Sequence, residues 1–112
     1  MKVFLDDERL TPEGWWRVYE PTQAIGMLES GMVTHISLDH DLGDDDIHGT
    51  GYDVMLWIEE QVATNNFKPP IILIHTSNPS ARQKMEAGKQ QIRKLYERVT
   101  EHERGSKTNP LA

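Results

Sequence analysis

The chain has 112 residues, and its 12 Lys and Arg against 18 Asp and Glu give a formal net charge of −6. This length fits one domain of roughly 100–150 residues, and the negative charge excludes a protein that holds duplex DNA by neutralising its phosphates. The lack of cysteine excludes disulfides, thiolate zinc sites and cysteine nucleophiles. No apolar run reaches the roughly 18–20 residues of a membrane span, so we expect a cytoplasmic protein without membrane or duplex-DNA partners.

Predicted strands alternate with predicted helices along the chain. Short apolar runs predict four strands, at residues 3–5, 16–19, 36–38 and 71–74. Apolar residues at helical spacing predict a helix after each of the last three strands, at residues 21–31, 52–65 and 79–99. Such alternation implies a parallel sheet with helices on both faces.

The C-terminal part of the chain leaves two arrangements open. The third predicted helix has Gly88 as a break, and its apolar stripe from Met85 to Val99 packs either on its own sheet or on another chain. In the second case this C-terminal helix would form an oligomer. The end of the sequence is polar, so we expect one domain over residues 1–104 and a flexible tail over residues 105–112.

Polar clusters follow three of the predicted strands. Asp6 and Asp7 follow the first strand, residues 39–41 follow the third, and residues 75–78 follow the fourth. In an open parallel sheet, ligands bind beyond the carboxyl ends of the strands, at the point where the strand order reverses. We therefore expect these clusters to meet in one crevice.

Asp6, Asp7 and Asp39 are the candidate metal ligands. Three carboxylates within several ångströms of one another repel, so they need either a cation or raised pKa values. Mg²⁺, or Mn²⁺ in its place, is bound by carboxylate oxygens together with water and phosphate oxygens. The alternative is that Asp6 and Asp7 cap a turn and that Asp39 is a solvated loop residue.

Residues 39–46 contain five aspartates, but they do not form a calcium loop of the EF-hand type. With Asp39 as position 1 of such a loop, positions 5 and 12 fall on Gly43 and Thr50, which offer no carboxylate. The run of three aspartates at residues 44–46 is therefore predicted as an exposed turn.

His40 and His75 are the candidate proton-transfer residues. They follow the third and fourth predicted strands, so neighbouring strands would place the two rings side by side. Histidine moves protons near pH 7, and phosphoester chemistry often needs an acid and a base that flank phosphorus. The alternative is that each histidine is structural. His35 opens its strand, roughly 13 Å from the end where His75 stands, so we do not pair it with His75.

The polar residues after the fourth strand favour phosphate binding. Thr76, Ser77 and Asn78 precede a predicted helix, whose free backbone N–H groups attract anions. Asn78 also fits a helix N-cap, and capping alone is the alternative for it. Arg9 is the nearest cation to the acidic crevice, where it either pairs with Asp7 or clamps a phosphate.

The motifs at these strand ends resemble the cyclic-phosphate-processing receiver-like family, a divergent branch of the response-regulator receiver superfamily that is typical of phages and bacteria. The resemblance spans roughly residues 2–95 and rests on Leu5-Asp6-Asp7-Glu8-Arg9, Ser37-Leu38-Asp39-His40-Asp41-Leu42-Gly43, Thr50-Gly51-Tyr52-Asp53 and His75-Thr76-Ser77-Asn78-Pro79. It implies a flavodoxin-like, three-layer α/β fold, here reduced to a four-stranded parallel sheet in order 2-1-3-4 with flanking helices.

The same resemblance implies roles for individual residues. Asp6 and Asp7 match the metal-binding acids of a receiver, Asp39 matches the phosphoacceptor, and Thr76 or Ser77 matches the switch hydroxyl. Two features depart from the receiver pattern. No helix fits between the first two strands, and no fifth strand follows to supply the usual lysine, which argues against ordinary phosphorelay signalling.

Four residues outside the receiver pattern favour chemistry on a phosphate diester, namely His40, Asp41, His75 and Asn78. We therefore expect divalent-metal-dependent, phosphoesterase-like processing of a cyclic phosphate on a nucleotide or short RNA end, in the host cytoplasm if the protein is phage-encoded. The expected catalytic residues are His40, His75, Asp39 and Asp41, and the expected substrate-binding residues are Arg9, Thr76, Ser77 and Asn78. The alternative is a receiver-type regulatory module, or one that binds a cyclic nucleotide without turnover.

Overall fold

A computed structural model describes residues 1–41 and 49–108. In chain order the elements are β1 (Lys2–Leu5), β2 (Trp16–Val18), α1 (Pro21–Glu29), β3 (His35–Leu38), α2 (Gly51–Asn65), β4 (Ile71–Ile74) and α3 (Pro79–Thr108). All seven predicted elements are therefore confirmed, whereas the exposed turn predicted at residues 44–46 lies outside the described residues. No helix in the described ranges is long and apolar enough to cross a membrane.

The four strands form one parallel sheet in the order β2-β1-β3-β4, which confirms the predicted topology. The register places Leu5 of β1 beside Val18 of β2 and Leu38 of β3, and Leu38 beside Ile74 of β4. The last residues of all four strands therefore stand in one row at the carboxyl edge of the sheet.

The hydrophobic core lies on one face of the sheet. Alternate strand residues, Val3, Leu5, Val18, Ile36, Leu38 and Ile72, form a single buried cluster with residues from all three described helices. The prediction of helices on both faces is therefore wrong for the described part of the chain. Right-handed crossovers place α1, between β2 and β3, and α2, between β3 and β4, on the same face. Helix α3 joins them there by packing Met85 and Ile92 into the same core, and the link from β1 to β2 contains no helix.

Aromatic side chains cover part of the opposite face. Phe4 is buried there, with the ring of His75 stacked on it at a centroid distance of 4.3 Å and an interplanar angle of 6°. Trp15, from the loop that links β1 to β2, meets Phe4 edge-on at 6.3 Å. This small cluster stands where the expected third layer would lie, and it leaves Ile71 and Leu73 of β4 exposed.

Helix α3 is continuous, so the predicted break at Gly88 is wrong. A Cβ atom at Gly88 would lie 3.2 Å from the Cε of Met55 in α2, so glycine allows close packing of the two helices. Met85 and Ile92 are buried in the core, which shows that this part of the stripe packs on its own fold. The helical backbone continues to Thr108, four residues into the segment expected to be a flexible tail.

Gly51 sets the distance between helix α2 and the end of β3. Its N–H donates to the carbonyl oxygen of His40 at 3.3 Å, and a Cβ atom at this position would lie 1.9 Å from the carbonyl oxygen of Asp39. Only glycine allows this approach, so the first turn of α2 holds the backbone of Asp39 in place.

Replacing Gly51 by Ala is expected to lower the free energy of unfolding by about 2–3 kcal/mol, because the methyl group must displace the Asp39 backbone. Gly26→Ala is the matched control, since a Cβ atom there has nothing within 4 Å and alanine favours the helix by roughly 0.5–1 kcal/mol. Urea denaturation measures both values. Equal effects of the two substitutions would show that the approach at Gly51 is not tight.

Candidate functional site

Three side chains meet in the row just beyond the strands. Hydrogen bonds of the sheet continue one residue further, from the N–H of Asp39 to the Leu5 carbonyl at 3.1 Å and from that of His75 to the Leu38 carbonyl at 3.0 Å. Asp6, Asp39 and His75 therefore stand side by side, each offering a ligand atom within 4.8 Å of the other two. This confirms that the clusters after β1, β3 and β4 converge.

Asp6 is fully buried, and both oxygens of its carboxylate are engaged. Its Oδ1 accepts hydrogen bonds from the backbone N–H groups of Glu8 at 2.7 Å and Arg9 at 2.9 Å. Its Oδ2 lies 3.0 Å from the Nε2 of His75. These bonds fix the orientation of the carboxylate and shape the loop that follows β1.

His75 uses both ring nitrogens inside the protein. Because a carboxylate only accepts, Nε2 donates to Asp6, which leaves Nδ1 of the neutral ring to accept from the hydroxyl of Ser37 at 2.6 Å. The ring is also stacked on Phe4. In this arrangement His75 holds Asp6 and has no nitrogen free for a substrate.

The two candidate proton-transfer residues do not pair with each other. The Nδ1 of His40 lies 2.9 Å from Oδ1 of Asp41, and within residues 1–41 and 49–101 no contact joins the rings of His40 and His75. The side-by-side arrangement expected from the strand order is therefore not found in the described structure. His40, with a neighbouring carboxylate to orient it, remains the candidate for proton transfer.

A polar depression of about 320 Å³ lies at the junction of β1 and β3, lined by Asp6, Asp7, Glu8, Arg9, Asp39, Asp41 and Ser77. Its volume is at the lower end of small-molecule sites, which run from roughly 300 to 1,000 Å³. It therefore brings together six of the sequence-predicted site residues and places them at the point where the strand order reverses.

Thr76 and Asn78 do not line this depression. Thr76 is 2% exposed, and its hydroxyl accepts from the backbone N–H of Asn78 at 3.2 Å. The Oδ1 of Asn78 accepts from the N–H of Ala81 at 3.1 Å, so Asn78 caps helix α3. Of the predicted phosphate-binding residues after β4, Ser77 is the one that reaches the depression.

Arg9 pairs with Asp6, whereas the sequence suggested Asp7 as its ion-pair partner. Its Nε lies 3.9 Å from Oδ2 of Asp6, and its Nη1 donates to the carbonyl oxygen of His75. The side chain is 45% exposed, so N–H groups remain open to solvent. Among the described residues that line the depression, Arg9 is the one cation.

Burial and mutual repulsion perturb the ionisation of these groups. The pKa of Asp39 is raised by burial and by the negative charge of Asp6. For Asp6, burial raises the pKa, but the backbone N–H groups of Arg9 and Glu8, together with His75, outweigh it and leave the pKa lowered. Burial lowers the pKa of His75, and the bond to Asp6 offsets this only in part.

A hard divalent cation fits this set of donors. Asp6 and Asp39 bring carboxylate oxygens, which Mg²⁺ and Mn²⁺ prefer, within 4.8 Å of each other. Asp7 lines the same depression but does not belong to that close group in the described residues. Burial raises the pKa of Asp39 most, and the negative charge of Asp6 raises it further, so the two carboxylates repel each other. A bound cation would remove this repulsion.

Sequence reasoning missed three residues that support the site, namely Phe4, Ser37 and Gly51. Ser37 is a single hydroxyl inside an apolar strand, and its position opposite Phe4 in the register places it under His75. A polar residue at this position of an otherwise apolar strand was therefore the one sequence signal for a buried polar contact at the site. The role of Gly51 depends on a contact between α2 and β3 that has no sequence signature.

A family model for the cyclic-phosphate processing receiver domain matches residues 1–91. The chain belongs to this family. Neither curated proteins nor solved structures give a match to the chain. Membership in the cyclic-phosphate processing receiver family agrees with the parallel sheet in order 2-1-3-4 and with the acids that follow β1 and β3.

In this receiver domain, Asp39→Asn is expected to raise the melting temperature of the metal-free protein at pH 7 by about 4 °C. The native pKa of Asp39 is raised, so its stabilising contribution is complete below the unfolded value of 3.8 and is lost as the pH rises through the native value. The difference from wild type should therefore shrink as the pH falls. Thermal melts in chelator from pH 4 to pH 7 measure it.

Asp41→Asn is the matched control, because the carboxylate of Asp41 is 56% exposed. It should change the melting temperature by less than about 1 °C at every pH. A destabilised Asp39→Asn protein at pH 7 would show that the two carboxylates do not repel.

Proposed function

We propose that this protein catalyses divalent-metal-dependent hydrolysis of a cyclic phosphate on a nucleotide or RNA end. One observation carries this proposal. The depression between β1 and β3 combines several carboxylates with one open guanidinium and one hydroxyl, a set that fits a metal ion together with a phosphate. Membership in the cyclic-phosphate processing receiver family supports the same substrate chemistry.

Asp6, Asp7 and Asp39 would hold the cation. A bound Mg²⁺ or Mn²⁺ supplies positive charge for a phosphate oxygen and lowers the pKa of a bound water. The protein's own contribution is to fix the carboxylates, which the backbone N–H groups of Glu8 and Arg9 do for Asp6 and the N–H of His40 does for Asp39 at 2.8 Å.

Arg9 and Ser77 would bind the phosphate. A guanidinium offers several N–H donors that match phosphate oxygens, and Arg9 is already anchored through the His75 carbonyl oxygen and Asp6. Ser77 is exposed at the rim of the depression, where its hydroxyl can donate to the same group. The acidic surroundings disfavour long RNA, so a mononucleotide or a short RNA end fits better.

Hydrolysis joins a water oxygen to phosphorus and breaks one ester bond of the ring, giving a phosphate monoester and a free hydroxyl. One group must accept a proton from the water, and another must donate a proton to the leaving oxygen. His40 is the proposed proton-transfer residue. Its Nδ1 is held by Asp41, and Asp41 lines the depression. His75 is proposed to act as a positioning residue for Asp6.

Regulation by phosphorylation of Asp39 is the competing function. In the described ranges no fifth strand follows β4, and no lysine lines the depression. A receiver without that lysine lacks the cation expected beside an acyl phosphate, so hydrolysis is the better supported proposal.

Turnover of cyclic phosphates tests the proposal. We expect 2′,3′- or 3′,5′-cyclic nucleotides, or RNA with a cyclic phosphate end, to be opened with Mg²⁺ or Mn²⁺ and left intact in chelator. Asp39→Asn should lower turnover at least about 100-fold, whereas Glu13→Gln, an exposed residue away from the depression, should not change it. Product analysis by chromatography gives the readout.

A protein that binds these ligands but returns them unchanged would instead be a binding module. Labelling of Asp39 by acetyl phosphate without any ring opening would support a regulatory receiver. Either result would contradict the hydrolase proposal.

His40→Gln should lower kcat about 100-fold and leave KM unchanged, because glutamine keeps a polar side chain but moves no proton. His35→Gln is the matched control, since His35 stands at the opposite end of the strands. A variant at position 40 with full activity would remove His40 from the reaction.

A further inference from the structure

Strand β4 is an open edge of the sheet. The N–H groups of Ile71 and His75 point inward and bond to carbonyl oxygens of the β3 segment, each at 3.0 Å. Because backbone groups alternate in direction along a strand, those of Ile72 and Ile74 point away from the sheet. Within the part of the chain that the structure describes, the guanidinium of Arg82, 3.5 Å from the Ile74 carbonyl oxygen, is the one group that reaches this edge.

This edge lacks the usual protection against pairing. Edge strands of natural sheets are generally blocked by charged residues, prolines or bulges within the strand, whereas β4 reads Ile-Ile-Leu-Ile. Ile71 is 57% exposed and Leu73 is 41% exposed. The apolar surface continues into a groove of about 240 Å³ between β4 and α3. The edge is therefore suited to accept another strand.

A charged stripe runs along helix α3 beside this edge. Its exposed or half-buried residues are spaced by three or four positions, so they share one side of the helix, and they are Arg82, Glu86, Lys89, Gln90, Arg93 and Glu97. Lys89 and Arg93 line the groove together with Ile71, which places the stripe on the β4 side. On the other side of α3, Lys84 lies 4.1 Å from the centroid of the Tyr52 ring in α2.

The charges of this stripe are complementary to those of a second copy of the helix that lies antiparallel to it. With Lys89 of one copy opposite Gln90 of another, Arg82 falls opposite Glu97, and Glu86 falls opposite Arg93. A two-fold axis repeats each pair, so four opposite-charge pairs form. A parallel arrangement in register would instead place like charges together, so the stripe specifies an antiparallel partner with its own sequence.

The outer edge of β4 and the charged stripe of α3 lie side by side. Arg82 lies 3.5 Å from the Ile74 carbonyl oxygen at one end of β4, and Arg93 lines the same groove as Ile71 at the other end, so the stripe runs alongside β4. We propose that two copies of this chain associate about a two-fold axis through β4 and α3. The β4 strands pair antiparallel, with the N–H and C=O groups of Ile72 bonded to those of Ile74 in the second copy. In the dimer Arg82 gives up its 3.5 Å contact with the Ile74 carbonyl oxygen and pairs with Glu97 of the second copy.

The dimer would form one eight-stranded sheet with the two α3 helices antiparallel on the same face. The depression at β1 and β3 lies inside the sheet, away from this edge. Both copies would therefore keep an open depression. This inference does not depend on the proposed hydrolysis. It uses the charged side of α3, not the apolar stripe through which the sequence left an oligomer open.

Sedimentation velocity of the full chain from about 5 to 500 µM tests the dimer. Wild type should sediment as a dimer at the upper concentrations, and Glu86→Arg or Arg93→Glu alone should raise the Kd at least about 10-fold by placing like charges together. The double variant E86R/R93E restores opposite charges across the axis, so its Kd should return to within about threefold of wild type.

Lys94→Glu is the matched control, because it makes the same charge change as Arg93→Glu at an exposed residue outside the stripe. It should leave the Kd unchanged. Leu73→Lys should abolish the dimer by placing a charge on the strand edge, and circular dichroism confirms that each variant is folded. A wild-type monomer at every concentration, or a double variant weaker than both single variants, would overturn the proposal.

Discussion

The register of β1, β3 and β4 is the constraint on which the rest of this structure depends. It places Asp6, Asp39 and His75 in one row just beyond the strands, where their side chains meet. Parallel strands allow this because their carboxyl ends lie at one edge of the sheet. A shift of one residue in any strand would turn its side chain to the other face, so the apolar core that fixes the register also assembles the site.

His75 connects the fold with the candidate site. Its ring packs on Phe4 and bonds to Ser37 on the face that the described helices leave uncovered, while its Nε2 holds Asp6. The His75 side chain therefore covers part of the sheet face that has no described helix, and it also orients the buried carboxylate of Asp6. This explains why a histidine at a strand end is half-buried, and why its pKa is lowered.

The chain separates two kinds of surface. The carboxyl edge of the sheet collects carboxylates around a depression, and Arg9 is the one cation among the lining residues that the structure describes. The outer edge of β4 and the neighbouring side of α3 combine apolar side chains with alternating charges. The first surface suits a small anionic ligand with a metal ion, whereas the second suits another protein surface. Because the first surface lies beyond the carboxyl ends of the strands and the second lies along the outer side of β4 and α3, each can act without blocking the other.

The sequence by itself determined the four strands, the three helices, the parallel sheet and the convergence of acids, because apolar periodicity and strand-end chemistry are local signals. The strand order 2-1-3-4 came from the family resemblance. Only the tertiary structure decided the bonds of His75, the cap role of Asn78, the continuity of α3 at Gly88 and the covering of one face. These depend on contacts between residues far apart in the chain. Such contacts arise from the packing of whole elements, which no local pattern specifies.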